Sequence, residues 1–515
     1  MKKIHVLALA ILIFISCSSD KGRRLYLNDS ITLFYESEFR VISEDSISNL
    51  SLYNDKGFEI SYDRVDNLFD LEEFGLTVVK YNNQQSLSYH DEKFPSSYKI
   101  GEINSSDFYA LLMNKIVVKF DTSIDTQRQT KILESIIGES NLGEGVIERE
   151  EYNENFVTIQ ISSGDVIEIA QKLNSQIEIE FAHPDLILKK RLYSNEFDDC
   201  KPPEYKLDDH WHHEIIGSYD GWCHTTGNDS VIIAIIDDAF DIDHFELRNN
   251  VILDDHRRRS QLPGPTSDEQ LNQTHGTLVA GVAVASEGGG RPLGVCPNCK
   301  FHPVKASGSV NDLASYIRND LIFNVNASII SISWDYDVQV YDLSSAFEVA
   351  TIRGRDSLGI PICLAIGNFG NNACRENINL AALDNVISVG GSTTDDKVLS
   401  LNKGKCLDII APANNILSCR YDTESVNRGT IENMVGYINN SSAATPIVAG
   451  AIGLMLSYDP SLTYSQIETI LKETSVRIYN EHGERPIIEY CDGQSEIAGY
   501  GRLDITNIFE KLTTR

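Results

Sequence analysis

Short apolar runs that alternate with helical stretches dominate the chain from about residue 208 to residue 515. Runs such as Val231–Ile236, Ile329–Ile332 and Ile362–Ile366 are apolar on both faces, with Ser331 the one polar residue among them. A strand of this kind has no face suited to water, which is typical of a parallel sheet covered by helices on both sides. The pattern therefore predicts an α/β fold for residues 208–515.

The preceding segment, residues 113–192, predicts a small ferredoxin-like α+β unit. Its predicted strands are Lys115–Phe120, Phe156–Ile161 and Ile177–Phe181. Asp125 and Asp165 are placed to cap the two helices that separate these strands. Residues 20–110 alternate short apolar stretches with polar turns and predict a β-rich region of unassigned role. Residues 193–207 form a polar linker that contains two prolines.

Residues 1–17 have the features of a bacterial export signal of the lipoprotein type. A basic start is followed by a nearly unbroken apolar run, Ile4–Ile15, which is too short to span a bilayer as a final anchor. Ser16-Cys17 then resembles a lipobox, although Phe14 stands where Leu is usual. We expect an exported lipoprotein anchored through Cys17 to a bacterial membrane, either periplasmic or at the cell surface. The alternative is an ordinary signal peptide cut nearby, which also predicts export.

Charge and cysteine content narrow the functional classes. The net charge of −31 repels phosphates, so nucleic acid is not expected as a partner. Of ten cysteines, an odd number remains once Cys17 is set aside, so a free thiol is expected, with Cys363 the best candidate. Export permits disulfides. The pair Cys296 and Cys299 is predicted to form a local one, because with His302 it supplies only half of a zinc site.

Several elements begin or end with side chains of the types that nucleophilic catalysis needs. A hydroxyl needs a neighbouring base, the base needs an orienting carboxylate, and the developing oxyanion needs hydrogen-bond donors. Asp237 ends the first apolar run, and Asp238 beside it is the competing choice. His275 opens a helix of small apolar residues in which Gly276 and Gly281 permit close approach of the backbone.

Two further positions complete the set. Ser442 lies at the start of a long apolar helix, and Asn368 follows a buried strand, where its amide could reach an oxyanion. Taken singly, the serine and the histidine could simply cap their helices, and the other two residues could belong to turns. Among the remaining histidines, His212 and His213 are interpreted as structural or exposed.

The order Asp237, His275, Asn368 and Ser442, with the residues around each, resembles the subtilisin family of serine peptidases. The resemblance covers about residues 208–515, and residues 113–515 when the segment that resembles a subtilase propeptide is included. Further matching segments are His244–Leu247, Gly294–Lys300, Ile410–Pro412 and Gly499–Asp504.

The resemblance implies a subtilisin-like parallel sheet flanked by helices, and a serine endopeptidase that hydrolyses polypeptides through an acyl-enzyme. Asp237 would orient the base, and His275 would act as general base and acid. Ser442 would attack, while Asn368 and the Ser442 backbone N–H would stabilise the oxyanion. The substrate-binding positions would be Ser333, Trp334, Asp335, Ala365 and Gly367. The alternative is a catalytically silent lipoprotein that binds peptides or proteins on the same scaffold.

The chain also departs from the family. Ala239 and Asn440 replace glycines, and Asn tolerates a positive φ better than most residues. The segment Ser333-Trp334-Asp335 differs from the usual substrate strand, and Trp334 is interpreted either as the lining of an apolar subsite or as core. Glu287–Gly290 takes the place of a calcium loop, but its glycines offer carbonyl oxygens only. No cofactor is expected, and a structural calcium stays open.

The propeptide-like unit, residues 113–192, is expected to assist folding of the catalytic domain and then to restrain it, because large parallel sheets fold slowly. Its tail near Leu186–Arg191 is expected to lie in the substrate cleft as an extended strand. The linker up to about Tyr205 is expected to be open to cutting, unless a disulfide at Cys200 ties it down. The alternative is a permanently attached accessory domain without an inhibitory role.

Overall fold

A computed structural model describes residues 23–28, 31–35, 39–43, 62–64, 76–81, 99–103, 109–137, 147–161, 166–188, 191–192, 210–253, 275–286, 292–306, 309–335, 340–374, 379–421, 435–479 and 490–514. Cys17, Asp165, the linker 193–207 with Cys200, and the loop Glu287–Gly290 lie outside the described residues.

Antiparallel strands and two helices make up the N-terminal part. They are β1 (Arg23–Asn28), β2 (Ile31–Tyr35), β3 (Phe39–Ser43), β4 (Tyr62–Arg64), β5 (Leu76–Tyr81), β6 (Lys99–Ile103), β7 (Tyr109–Phe120), α1 (Thr126–Ile137), β8 (Ile147–Arg149), β9 (Phe156–Gln160), α2 (Val166–Asn174), β10 (Ile179–Leu188) and β11 (Arg191–Leu192). The predicted α+β character of residues 113–192 is present, and the Asp125 carboxylate accepts from the Arg128 backbone N–H at 2.8 Å, as a helix cap does.

The long strand β7 organises this part. One edge pairs with β6 over its first half and with β9 over its second half, while β10 pairs along the other edge. Strands β1, β2 and β6 therefore belong to the same sheet as the propeptide-like unit. The third predicted strand begins at Ile179 instead of Ile177, because a turn after α2 leaves Ile177 95% exposed.

The C-terminal part contains the predicted parallel sheet. Its elements are α3 (Trp211–Ile215), α4 (Ser218–Trp222), β12 (Ile232–Asp237), α5 (His275–Val284), β13 (Lys300–Lys305), α6 (Val310–Tyr316), β14 (Ile329–Ile332), β15 (Trp334–Asp335), α7 (Tyr341–Ser357), β16 (Ile362–Ala365), β17 (Ile387–Ser392), β18 (Ile409–Pro412), β19 (Ile416–Cys419), β20 (Val435–Ile438), α8 (Asn440–Tyr458), α9 (Tyr464–Thr474) and α10 (Ile505–Thr513). A π-helix (Ile317–Asn324) continues α6, and a 3-10 turn (Leu380–Ala382) precedes β17.

The six strands of this sheet run in the order β13-β12-β14-β16-β17-β18, and every pair is parallel. Alternate side chains enter two separate apolar cores. Ile236 and Ile332 belong to the core that includes α6 and α7, whereas Ile235 and Cys363 belong to the core that includes α5 and α8. Both faces are thus buried, which confirms the α/β fold predicted from uniformly apolar runs.

Helix α8 has the length and apolar composition of a membrane-spanning helix, but it crosses the protein interior. Of its most apolar window, 89% is buried within the protein. Pro446 falls in the second turn, so its missing N–H leaves the Ser442 carbonyl without its intrahelical donor. The Ser333 hydroxyl donates to that carbonyl instead, at 3.3 Å. The helix is the central core helix that carries Ser442.

Cys296 and Cys299 form a disulfide, as the sequence predicted. A second disulfide joins Cys374 to Cys406. Cys363 is a free thiol, and its burial raises its pKa far above the ordinary value, so it is chemically inert at neutral pH.

The propeptide-like unit packs on helices α6 and α7, and the two parts share one continuous apolar core. At the edge of this contact, β11 pairs antiparallel with β15, so that Arg191 lies opposite Asp335 and Leu192 opposite Trp334. The tail of the unit therefore lies on a strand that the sequence analysis assigned to substrate.

Candidate active site

Asp237 is the last residue of β12, a strand with parallel neighbours on both sides. The chain leaves the sheet at this point, so the side chain projects at the carboxyl edge, where ligands of α/β sheets bind. Its carboxylate is 0% exposed, and Oδ1 lies 2.8 Å from Nδ1 of His275. A fixed, dry carboxylate can hold an imidazole in one tautomer and orientation.

His275 is the first residue of α5 and is 1% exposed. The start of α5 lies tightly against the segment after β12, because a Cβ at Gly276 would collide with the Ala239 carbonyl oxygen. The glycine thus permits the close approach predicted from the sequence. Burial lowers the pKa of His275, but the carboxylates of Asp237 and Asp238 outweigh it and raise the pKa above its ordinary value.

Asp238, the competing choice from the sequence, has a different contact set. Its Oδ1 accepts from the backbone N–H groups of Gly276, at 2.9 Å, and of Ala239, at 2.5 Å. It therefore ties the first turn of α5 to the end of β12, whereas Asp237 bonds the imidazole. Burial, together with the neighbouring Asp237 charge, raises the pKa of Asp238 to about 6. The contact of Asp238 with the Gly276 N–H was not predicted, although the sequence showed two adjacent acidic residues at the end of β12.

Ser442 lies in the first turn of α8 and is fully buried. Asn440 before it has φ +65°, which confirms the prediction that Asn there supports a left-handed backbone. The Ser442 hydroxyl donates to the Ser333 carbonyl at 3.2 Å. Nε2 of His275 has no hydrogen-bond partner among the described residues. The structure thus brings the Asp237–His275 pair together but leaves the Ser442 hydroxyl bonded to Ser333.

Asn368 follows β16 and is held by the residue before Ser442. Its Oδ1 accepts from the Ser441 N–H at 3.2 Å and from the Ser441 hydroxyl at 2.7 Å. Because the oxygen is engaged on the α8 side, the amide nitrogen is directed away from Ser441. This is an orientation that suits a donor to an oxyanion beside Ser442.

The loop that carries Asn368 is clamped by Asn402, which sequence motifs did not indicate. Asn402 Oδ1 accepts from the N–H groups of Phe369 and Asn371, at 2.9 and 3.0 Å. Its amide nitrogen donates to the Ile366 carbonyl at 3.0 Å. A single buried amide thus fixes the loop from both sides. Such a role depends on a contact 36 residues away in sequence and has no local signal.

The candidate substrate residues divide into two groups. Trp334 is fully buried, and its Nε1 donates to the Ile236 carbonyl at 2.7 Å. Its side chain is core, so the interpretation as the lining of an apolar subsite is wrong. Its backbone and that of Asp335 form the edge that pairs with β11. Ala365 ends β16 as a buried residue, and Gly367 has φ +96°, which turns the chain toward Asn368.

One buried carboxylate adjoins the candidate calcium loop. Glu246 is 3% exposed, and its backbone carbonyl accepts from the Ser286 N–H at 2.9 Å, directly before the loop. Its side-chain oxygen lies 3.3 Å from the Ser286 hydroxyl. An oxygen ligand at this position suits a hard cation such as Ca²⁺.

Comparison with known proteins gives one matching family and several relatives. The model of the subtilase family (peptidase S8) matches residues 228–501, which is more than half of the chain. The calcium-dependent protease of Trichormus variabilis is 27% identical over 446 residues, covering 77% of this chain and 63% of the relative. Subtilisin E of Bacillus subtilis is 29% identical over 256 residues, covering 49% of this chain and 62% of the relative.

Among solved structures, fervidolysin from Fervidobacterium pennivorans, described as a keratinolytic enzyme related to subtilisin, matches with a TM-score of 0.57 and 20% identity. The match covers 81% of this chain and 64% of fervidolysin. The similarity supports the same fold. The chain spans less than two thirds of the length of the curated relatives described above.

Proposed function

Because this chain belongs to the subtilase family of serine peptidases, we propose that it is an endopeptidase that cleaves polypeptides through an acyl-enzyme. The observation that carries the proposal is the buried hydrogen bond between Asp237 and His275, formed at the carboxyl edge of the sheet. Helix α5, which begins with His275, packs against helix α8, which carries Ser442 in its first turn. A dry carboxylate–imidazole pair and a serine carried by these two helices would provide a base, its orienter and a nucleophile.

In the proposed reaction, the Ser442 hydroxyl turns from the Ser333 carbonyl to Nε2 of His275. Nε2 takes the proton as Oγ attacks the scissile carbonyl, and Asp237 stabilises the imidazolium that results. The oxyanion is stabilised by the Asn368 amide and the Ser442 backbone N–H. His275 then protonates the leaving amine. Water next attacks the acyl-enzyme and gives a proton to His275, which passes it to the Ser442 Oγ as the bond to the acyl group breaks and the carboxylic acid product leaves.

Substrate would bind by adding a strand to β15. The pairing of β11 with this edge supports the proposal, because it places a peptide of this chain antiparallel to Trp334 and Asp335. Main-chain hydrogen bonds supply affinity in such additions, and side-chain pockets supply selectivity. The propeptide-like unit would therefore inhibit the catalytic domain until the linker 193–207 is cut.

Export, lipid attachment at Cys17 and a structural calcium are further parts of the proposal. The name of the Trichormus variabilis relative states a calcium dependence. In this chain the buried carboxylate of Glu246 would supply one oxygen ligand beside the glycine loop. Mass spectrometry of the mature N-terminus tests the lipid, because an unmodified N-terminus downstream of Cys17 contradicts it.

A fluorophosphonate probe tests the proposed activity, because only an activated serine reacts with it. We expect labelling once the linker 193–207 is cut, both in the parent and in Ser457→Ala, a control in the last turn of the same helix. Labelling should be lost in Ser442→Ala. Peptide hydrolysis should fall with it, since loss of the serine in subtilisin lowers kcat by about 10⁶. Turnover by Ser442→Ala near that of the parent would refute the assignment, and peptide binding without labelling would instead support the silent binder.

A further inference from the structure

Three histidines converge at the start of the catalytic part. His212 and His213 lie in α3, and His210 is its N-cap residue. One ring nitrogen from each lies within 4.8 Å of the others. His212 and His213 are 0% exposed, whereas His210 is half-buried. The sequence interpretation took His212 and His213 as structural or exposed; both are buried, and His210 joins them in one cluster.

His213 is held in a single tautomer. Its Nε2 donates to the Leu293 carbonyl at 2.8 Å, so Nδ1 carries the lone pair, 3.0 Å from the Ser218 hydroxyl. Imidazoles that bind metal ions characteristically donate their second N–H to a carbonyl or carboxylate in this way. Nδ1 is thus the electron-pair donor of the ring, and a metal ion would replace the Ser218 hydroxyl as its partner.

His212 provides the second, independent observation. Although it is fully buried, neither of its ring nitrogens has a hydrogen-bond partner among the described residues. Polar groups buried without a partner are rare in folded proteins because they lose their bonds to water. A bound cation would give a ring nitrogen of His212 the partner that it lacks.

We propose that His210, His212 and His213 form a binding site for a divalent transition-metal ion, of which Zn²⁺ is the representative. Neutral imidazole suits Zn²⁺, Cu²⁺ and Ni²⁺, while Ca²⁺ and Mg²⁺ prefer oxygen ligands. In a tetrahedral zinc site the ligand nitrogens lie about 3.3 Å apart, so side-chain rotations of an ångström or so would close the site. Water completes the coordination on the half-exposed side at His210.

The metal would have a structural role. Helix α3 is the first described element after the linker 193–207, and His213 already bonds the Leu293 carbonyl. Trp222 in α4 donates to the Val295 carbonyl at 2.9 Å, so both helices contact the same segment. A cation shared by the three histidines would hold the start of the catalytic part onto its body. The site is separate from the proposed active site and from the oxygen ligands proposed for calcium.

The test measures zinc bound per chain by elemental analysis, using the full chain with Ser442→Ala to prevent self-digestion and excess Ca²⁺ to occupy oxygen sites. We expect one tightly bound Zn²⁺ per chain, with a matching Co²⁺ absorption spectrum typical of nitrogen ligands. Loss of an outer partner alone weakens metal sites about 10–100-fold. His212→Gln should therefore weaken binding by more than about 100-fold.

His224→Gln is the matched control, because His224 is an exposed histidine stacked on Phe509. It should bind zinc as the parent does. His210→Gln, at the half-exposed position, tests the site with little risk to folding and should also weaken binding. A parent chain that binds no zinc would overturn the proposal, as would His210→Gln and His212→Gln variants that bind zinc as tightly as the parent.

Discussion

A buried ion-pair cluster joins the propeptide-like unit to the catalytic part, and its disruption gives a sharp prediction. Arg318, in the π-helical extension of α6, is 0% exposed and contacts both Glu150 and Asp342. Glu150 belongs to the propeptide-like unit and binds Nε at 2.8 Å and Nη2 at 2.5 Å. The guanidinium also lies 3.9 Å from the ring centre of Phe156 in β9. The perturbation is Glu150→Gln.

The expected loss of docking free energy follows from the way in which Glu150 and Asp342 share the Arg318 guanidinium. Two carboxylates face Arg318 and raise its pKa despite its burial. Burial raises the pKa of Glu150 by more than its contacts with the Arg318 guanidinium lower it. A hydrogen bond to a charged group is worth about 1.5–3 kcal/mol. Since Asp342 still pairs with Arg318 after the change, we take the lower end, about 1.5–2 kcal/mol. This is about a 10–30-fold change in the docking equilibrium.

The assay is hydrolysis of an internally quenched peptide by the uncut full chain, with integrity checked by mass spectrometry. If the docked unit blocks the cleft, the rate is proportional to the undocked fraction. We therefore expect Glu150→Gln to raise the rate about 10–30-fold while docking still dominates. Glu151→Gln is the matched control, because Glu151 is the adjacent exposed glutamate, and it should leave the rate unchanged.

Two results would refute this reasoning. A rate for Glu150→Gln within twofold of the parent would show that the contact does not contribute to closure. An equal rise in Glu151→Gln would show a general charge effect instead. Combination with Arg318→Met checks the mechanism, because two residues that act through one contact give a non-additive double variant.

Three further predictions concern the active site. Asn368→Ala should lower kcat by about 10²–10³ with little change in KM, because the amide acts only where charge develops; a selective rise in KM would instead indicate a substrate contact. Asp238→Asn keeps an acceptor oxygen for the Gly276 N–H but removes a negative charge beside His275, so the pKa of His275 should fall. Since the base must be neutral, the acid limb of the kcat/KM profile should move to lower pH, and an unmoved limb would contradict this. Trp334→Phe removes the donor to the Ile236 carbonyl and should lower the free energy of unfolding by about 1–3 kcal/mol, as measured by denaturant titration, where an unchanged midpoint would refute the role.

The elements that carry the candidate triad could be predicted because their signals are local. Uniformly apolar runs marked the buried strands, and Asp237 stood directly at the end of one of them. Asn440 could be assigned a positive φ from its residue type and place in the motif, as the structure has it. These inferences needed only the period of the pattern and the chemistry of one or two residues.

Features that depend on distant contacts could not be predicted. Arginine is a residue type usually found at the protein surface. The burial of Arg318 depends on its contact with Glu150, 168 residues away in sequence. The orientation of Trp334 could not be read from a strand of two residues, because such a strand has no period that separates its faces. His213 owes its fixed tautomer to Leu293, 80 positions later.

The shared strand β7 decides which parts of the chain would stay together after a cut in the linker 193–207. Because β1, β2 and β6 lie in one sheet with the strands β7 to β10 of the propeptide-like unit, these seven strands stay together. Both disulfides found among the described residues lie within the catalytic part, so neither links it to this sheet. If Cys17 carries the proposed lipid, a cut in the linker 193–207 would leave that lipid with the propeptide-like unit and not with the catalytic part. The membrane would then retain the propeptide-like unit, and a catalytic part that undocks from it could act at a distance from that membrane.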